Sequence, residues 1–156
     1  MLPSHVRTLR QFLYVAAVAL WLGGFTFYAA FVIPAGHQVL GGHLRQGFIT
    51  QRVTGELNAI ATVALAILLW NAAALWPTQS RAIRISLATS WVAMALIQIG
   101  LFVMHHMLDR LLDPGARAIT DVPRFDVLHR LYLISSTAQW ASGVLFVWCA
   151  AAANQR

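Results

Sequence analysis

The sequence predicts an all-α fold, a four-helix bundle set in a membrane, and three observations carry that prediction. Of its 156 residues, 59% are hydrophobic and only 10% are charged, whereas a soluble domain carries about 25% charged residues to keep its surface wet. So little charge cannot cover a soluble core of this size, and the remaining apolar surface needs lipid. Four apolar runs each reach the roughly 20 residues that a helix needs to cross the hydrocarbon layer. The runs are continuous rather than alternating, which favours helices, bonded internally along the backbone, over barrel strands.

The first run covers about residues 11–33 and ends at Pro34. It is longer than the roughly 7–15-residue apolar core of a signal peptide, so a retained helix is expected even though Arg7 and Arg10 precede it. The second run, about 53–76, ends at Pro77. Leu44, Phe48 and Ile49 ahead of it already have helical spacing, which places the start of this helix outside the membrane. Pro77-Thr-Gln-Ser is a tight turn that makes the second and third helices antiparallel neighbours. The third helix covers about 83–107, and Asp113-Pro-Gly turns the chain back. Pro123 suits a helix N-terminus ahead of the fourth run, about 127–152. No internal repeat or low-complexity stretch interrupts the pattern, so residues 1–156 read as a single transmembrane domain with antiparallel up-down topology.

The net charge of +6 comes from eleven Arg and no Lys, against one Glu and four Asp. The arginines sit singly or in pairs at the ends of apolar runs, where they meet headgroups or snorkel. No basic stripe or motif supports nucleic-acid binding. The single Cys149 lies inside the last run and can form no intrachain disulfide; a small packing role is expected. Four crossings put both termini and the Pro77 turn on one side, with Arg7, Arg10, Arg81, Arg84, Arg156 and no acidic residue. The other side carries Arg45, Arg52, Arg110, Arg117, Arg124 and Arg130 with all the acidic residues, Glu56, Asp109, Asp113, Asp121 and Asp126. Arg counts therefore do not fix the orientation, and the basic residues ahead of the first helix favour cytoplasmic termini.

Small residues at Gly23, Gly24, Gly100, Ser136 and Gly143 are expected to let helices approach closely. Polar residues deep in the runs are fewer: Asn71, Gln98, and the stretch Ser135, Ser136, Thr137 and Gln139. Tyr132, Ser136 and Gln139 fall on one helical stripe continuing inward from His129. That stripe reads as interhelical glue or as the lining of a path for a proton or a quinone headgroup.

Chemistry concentrates at the end of the bundle away from the termini. Every histidine except His5 lies there: His37, His43, His105, His106 and His129. His43 reads as a solvated loop residue. His105 and Asp109, four apart, project from one helix face, and His106 points about 100° away. His129 and Glu56 occupy comparable depths on the fourth and second helices. Imidazole with carboxylate suits a transition-metal ion, and imidazole alone suits a b-type haem. In the metal reading His37, Glu56, His105, Asp109 and His129 gather around one Cu, Fe or Zn ion. In the haem reading His105 or His106 and His129 are axial ligands, and Arg130, Arg52 or Arg124 meets the propionates. A cofactor-free reading pairs Glu56 with Arg52, Asp126 with Arg130, and Asp109 with Arg110 or Arg130 as ordinary headgroup-depth ion pairs. No Asp, Glu, Arg or Lys lies near mid-depth, which argues against an ion-coupled transporter or pump. The serines lack a placed base, which argues against a hydrolase.

Trp21-Leu-Gly-Gly-Phe followed by Phe31-Val-Ile-Pro resembles the opening of small bacterial four-helix membrane proteins, including the copper-resistance D-type domain. The resemblance covers the first helix, and this chain lacks the His often found just ahead of that element. It implies a bacterial cytoplasmic (inner) membrane protein with a metal-related role.

The leading expectation is an inner-membrane protein whose His-rich site at the non-cytoplasmic end binds haem b or a transition-metal ion and serves electron transfer. The alternative is a cofactor-free structural or accessory subunit of a larger membrane complex. A quinone-binding enzyme using Tyr132 and Gln139 is the third. The expected partners are the lipid bilayer, other membrane subunits or a quinone, and no nucleic acid.

Overall fold

A computed structural model describes residues 3–40, 43–113, 115–116 and 118–154, with backbone alone described at 43–45 and 154. Four long helical segments account for almost all of it: α1 Ser4–Leu40, α2 His43–Leu75, α3 Arg81–Asp109 and α4 Val122–Asn154. All four are long and apolar enough to cross a membrane. With 29 to 37 residues each, at about 1.5 Å per residue they outreach a hydrocarbon layer of about 30 Å. The sequence reading placed their ends too far inward, because hydropathy marks where apolar residues stop and not where backbone hydrogen bonds do.

The largest such difference is at Pro34. The first helix does not end there but runs on to Leu40. A proline inside a helix lacks the N–H for the preceding turn, and its ring crowds the carbonyl four residues back. Here a π-helical turn, Tyr28–Val32, comes immediately before it, and the Ile33 N–H reaches back to the Tyr28 carbonyl. The wider turn absorbs the proline without ending the helix. A second π turn, Ala19–Gly23, contains Trp21, Leu22 and Gly23.

At Pro77 the expectation holds: α2 stops at Leu75 and a 3₁₀ turn, Trp76–Thr78, leads to α3. α2 also begins well before residue 53, at His43, so His43 is helical and not a loop residue; its side chain lies outside the described residues. Between α3 and α4 the turn is a short hairpin, β1 Leu112–Asp113 paired antiparallel with β2 Ala118–Ile119. The Asp113 carboxylate accepts from the backbone N–H groups of Gly115 and Ala116; Pro114 and Arg117 lie outside the described residues. Asp121 caps α4 by accepting from the Arg124 N–H at 3.1 Å, with Pro123 in the first turn.

Contacts between helices fix an up-down-up-down order. Trp91 on α3 donates to the Leu65 carbonyl of α2, and Gln51 on α2 meets Asp109 on α3. Trp140 on α4 donates to Thr26 of α1, and Gln79 reaches the Ala153 carbonyl near the end of α4. α3 and α4 form the most extensive pair, and α1 packs chiefly on α2.

Gly143 on α4 is the one expected small residue that a close approach demands. A Cβ there would stand 2.9 Å from Leu22 and 3.1 Å from the Trp21 ring. Gly23, Gly24 and Gly100 have no heavy atom within 4 Å of an added Cβ, so the expectation of close helix contact at these three is corrected: each has open space where a side chain would stand. Two apolar cores result. The larger, with Leu68, Leu87, Met94 and Phe146 fully buried, fills the terminal half, and a smaller one around Leu101, Leu108 and Tyr132 fills the other. The outer faces remain apolar, with Trp148 at 72% and Leu96 at 65% exposed. In water such faces would form one continuous apolar surface.

Candidate functional site

Part of the buried polar set, Asn58, Gln98, Tyr132, Ser136 and Gln139, lines up along the smaller core, while Arg10, Gln46, Asn71, Gln79 and Ser90 are buried elsewhere. At the outer end of this track Asp109 of α3 is held from two sides. His105 Nε2 lies 3.5 Å from its Oδ2, and Gln51 Nε2 of α2 donates to its Oδ1 at 3.0 Å. The His105 side chain is only 19% exposed. Its ring packs 6.3 Å, centroid to centroid, from that of Tyr132 on α4.

Tyr132 passes the track inward. Its hydroxyl accepts from Asn58 Nδ2 at 3.1 Å and lies 3.3 Å from Asn58 Oδ1, to which it donates. Gln98 Nε2 of α3 donates to the Asn58 carbonyl and Oδ1 at 3.4 and 3.5 Å. Gln139 of α4 then donates to Gln98 Oε1 at 2.7 Å and to the Met94 carbonyl at 3.2 Å. Asn58, Gln98, Tyr132, Ser136 and Gln139 are all buried. Beyond Met94 no hydrogen bond among the described residues extends the network, and the fully buried side chains there include Leu68, Leu87 and Phe146. The track therefore reaches from one end of the bundle to its middle and stops.

The expected stripe Tyr132, Ser136, Gln139 is thus on the inner face of α4, and Gln98 meets it from α3. Asn71, the other deep amide, takes no part; it is buried near the opposite end with its Nδ2 unpartnered. Sequence reading missed Asn58 and Gln51. Their signal was present: Gln51, Thr54 and Asn58 recur at three and four residues on α2, a polar stripe at helical period. A second interhelical stitch was missed as well. The Tyr28 hydroxyl bonds Thr50 at 3.1 Å, next to Gln46.

The residues expected around a single metal ion are not gathered. Glu56 points outward, with its side chain 64% exposed, and pairs with Arg52 at 3.3 Å. His37 and His106 are exposed, as is Arg130. His129 is half-buried and stacked face to face on Phe125 at 5.7 Å, one turn outward from Tyr132. Among the described residues no three His, Cys, Asp or Glu side chains come together in a way that could hold a metal ion. The physical reason is rotational: shared depth is set by residue number, whereas convergence also needs each helix to turn that face inward. His105 Nε2, the nitrogen that would ligate a haem iron, faces the Asp109 carboxylate at 3.5 Å. Of the expected ion pairs, Arg52–Glu56 forms; Asp109 turns to His105 and Gln51 instead of Arg110 or Arg130, and Asp126 and Arg130 do not pair.

Comparison with protein-family models, with curated proteins and with solved structures finds no match to this chain.

Proposed function

We propose that this protein is a four-span integral membrane protein that handles protons at its His105–Asp109 end. The pair exchanges protons with the headgroup side, and Tyr132 is the next proton-carrying group inward, its hydroxyl oriented by the amide of Asn58 with Gln98 and Gln139 bonded behind it. The supporting observation is the placement of the His105–Asp109 pair, with the His105 ring packed 6.3 Å from that of Tyr132, at the head of a hydrogen-bonded network from Tyr132 through Asn58 and Gln98 to Gln139. A phenol, an imidazole and a carboxylate in series are groups that can each give and take a proton. A track that stops at mid-depth moves no proton across by itself, so it serves a reaction partner inside the membrane, of the class of a quinone headgroup or a neighbouring subunit's redox group.

A haem b or a Cu, Fe or Zn ion belongs to this proposal only as a shared group. His105 and His129 supply at most two donors from this chain, and a second chain completes the set. The deciding experiment is side-chain hydrogen–deuterium exchange by infrared spectroscopy in proteoliposomes. Exchange of the Tyr132 and Gln98/Gln139 protons is expected within minutes in the native protein and at least tenfold more slowly in Asp109→Asn and His105→Ala. Equal rates in all three proteins would sink the relay.

One observation favours a second reading, the accessory subunit. The four buried amide and phenol side chains bond chiefly to one another, as in a lock that fixes helix register. In that case Tyr132→Phe lowers stability and leaves the exchange of Gln98 and Gln139 unslowed.

A further inference from the structure

At the opposite end from the polar track, two adjoining grooves open beside Trp76. One, of about 470 Å³, runs between α2 and α3, with Leu69, Ala72 and Ala73 on one wall and Ala88, Trp91 and Val92 on the other. The second, of about 440 Å³, lies over α3 and is lined by Arg81, Arg84, Ile85 and Thr89. Trp76 and Ala88 belong to both. Measured along the helices, the arginines stand at the mouth, and Leu69 and Val92 lie about two turns, roughly 11 Å, deeper.

We propose that these grooves form a binding site for one anionic phospholipid. Its phosphate sits on Arg81 and Arg84, and an acyl chain lies along Ala73 and Ala88. The proposal rests on the membrane reading given above.

Charge argues for this occupant. All the Asp and Glu residues lie toward the other end of the bundle, and among the described residues neither Arg81 nor Arg84 has an acidic partner. The Arg84 guanidinium is held over the Trp76 ring, 6.0 Å from its centroid, and its Nε is buried with no hydrogen-bond partner. A cation fixed on an aromatic face keeps its outer N–H groups free for an acceptor. A phosphodiester matches the guanidinium fork, and in an anionic lipid it meets the arginines without a headgroup cation of its own to compete with them. Shape argues for a lipid over a free anion. The arginine-lined groove shares Trp76 and Ala88 with an apolar cleft whose lining includes Ala72, Ala73 and Ala88, and a free phosphate would leave that cleft empty.

Native mass spectrometry of the full chain in a neutral detergent, titrated with phosphatidylglycerol or phosphatidylcholine, tests the site. One phosphatidylglycerol is expected to be retained per chain, at least tenfold more tightly than phosphatidylcholine. Arg81→Gln/Arg84→Gln is expected to bring the two lipids to equal affinity, and Arg52→Gln/Arg124→Gln at the other end to leave the preference intact. Ala88→Phe, which fills the cleft and keeps both charges, is expected to weaken both lipids. Equal affinity of the native chain for the two lipids overturns the proposal whether or not the variants fold. So does full displacement of phosphatidylglycerol by millimolar inorganic phosphate, which would show that the arginines bind an anion without the chain. Retention of the protein in carbonate-washed membranes tests the membrane reading separately, and it can hold while lipid discrimination fails.

Discussion

The Tyr132 hydroxyl of α4 engages both ends of the Asn58 amide of α2, accepting from Nδ2 at 3.1 Å and facing Oδ1 at 3.3 Å. Both residues are buried, and the two are separated by 74 positions in the chain. A polar pair of this kind ties two helices together at one rotation and one depth.

Removing the hydroxyl therefore leaves a buried amide short of partners. Tyr132→Phe is expected to destabilise the folded bundle by about 1 kcal/mol, since interhelical hydrogen bonds in membranes average about 0.6 and reach about 1.7 kcal/mol. Thermal unfolding in detergent measures it. Asn58→Leu in the same background should cost less than it does alone, because the pair acts as a unit. Strict additivity would show that the two residues are not coupled.

Gly143 and Gly100 offer a matched comparison. Gly143→Ala places a Cβ 2.9 Å from the Leu22 side chain and 3.1 Å from the Trp21 ring, and the shift of these buried side chains is expected to cost about 1–3 kcal/mol. Gly100→Ala meets nothing within 4 Å and is expected to be neutral or stabilising by up to about 1 kcal/mol through helix propensity. Unfolding midpoints of the two variants should move in opposite directions, or only the first should move.

The Arg52–Glu56 pair contributes little. Its side chains are 86% and 64% exposed, and exposed pairs four apart on a helix contribute about 0.3–0.5 kcal/mol. Glu56→Gln is expected to leave stability within that range and to leave metal content unchanged. Elemental analysis of tag-free protein reads the second part. Loss of a bound ion in Glu56→Gln would restore Glu56 as a ligand and overturn the outward placement.

A shared haem or metal ion predicts iron or copper in preparations that retain the partner chain, and its loss in His129→Ala. An optical spectrum then separates haem from a bare ion. A colourless, metal-free preparation of the intact complex would remove the cofactor and leave the proton relay.

If the four helices, each long and apolar enough to cross, all span the membrane, the Pro77 turn and the β1–β2 hairpin lie on its opposite faces. In a Cys149→Ser background, Ser80→Cys and Ala116→Cys should be labelled by an impermeant maleimide from opposite sides of sealed vesicles. With cytoplasmic termini, Ala116→Cys reacts from outside. Labelling of both from one side would rule out four crossings.

The sequence alone determined that there are four long apolar helices, where the turn at Pro77 falls, and that polar groups collect at one end. Each follows from composition along the chain: length of an apolar run, an imino acid without an N–H, the positions of His and Asp. It also put Tyr132, Ser136 and Gln139 on one stripe, since helical period is a property of a single helix. Only the tertiary structure decided which way each stripe faces. It turned Glu56, His106 and Arg130 outward, turned Asn58 and Gln98 inward to meet Gln139, and carried α1 past Pro34 on a π turn. Rotation about a helix axis and packing between helices are set by contacts among residues far apart in the chain. Hydropathy, summed along one segment at a time, holds no record of them.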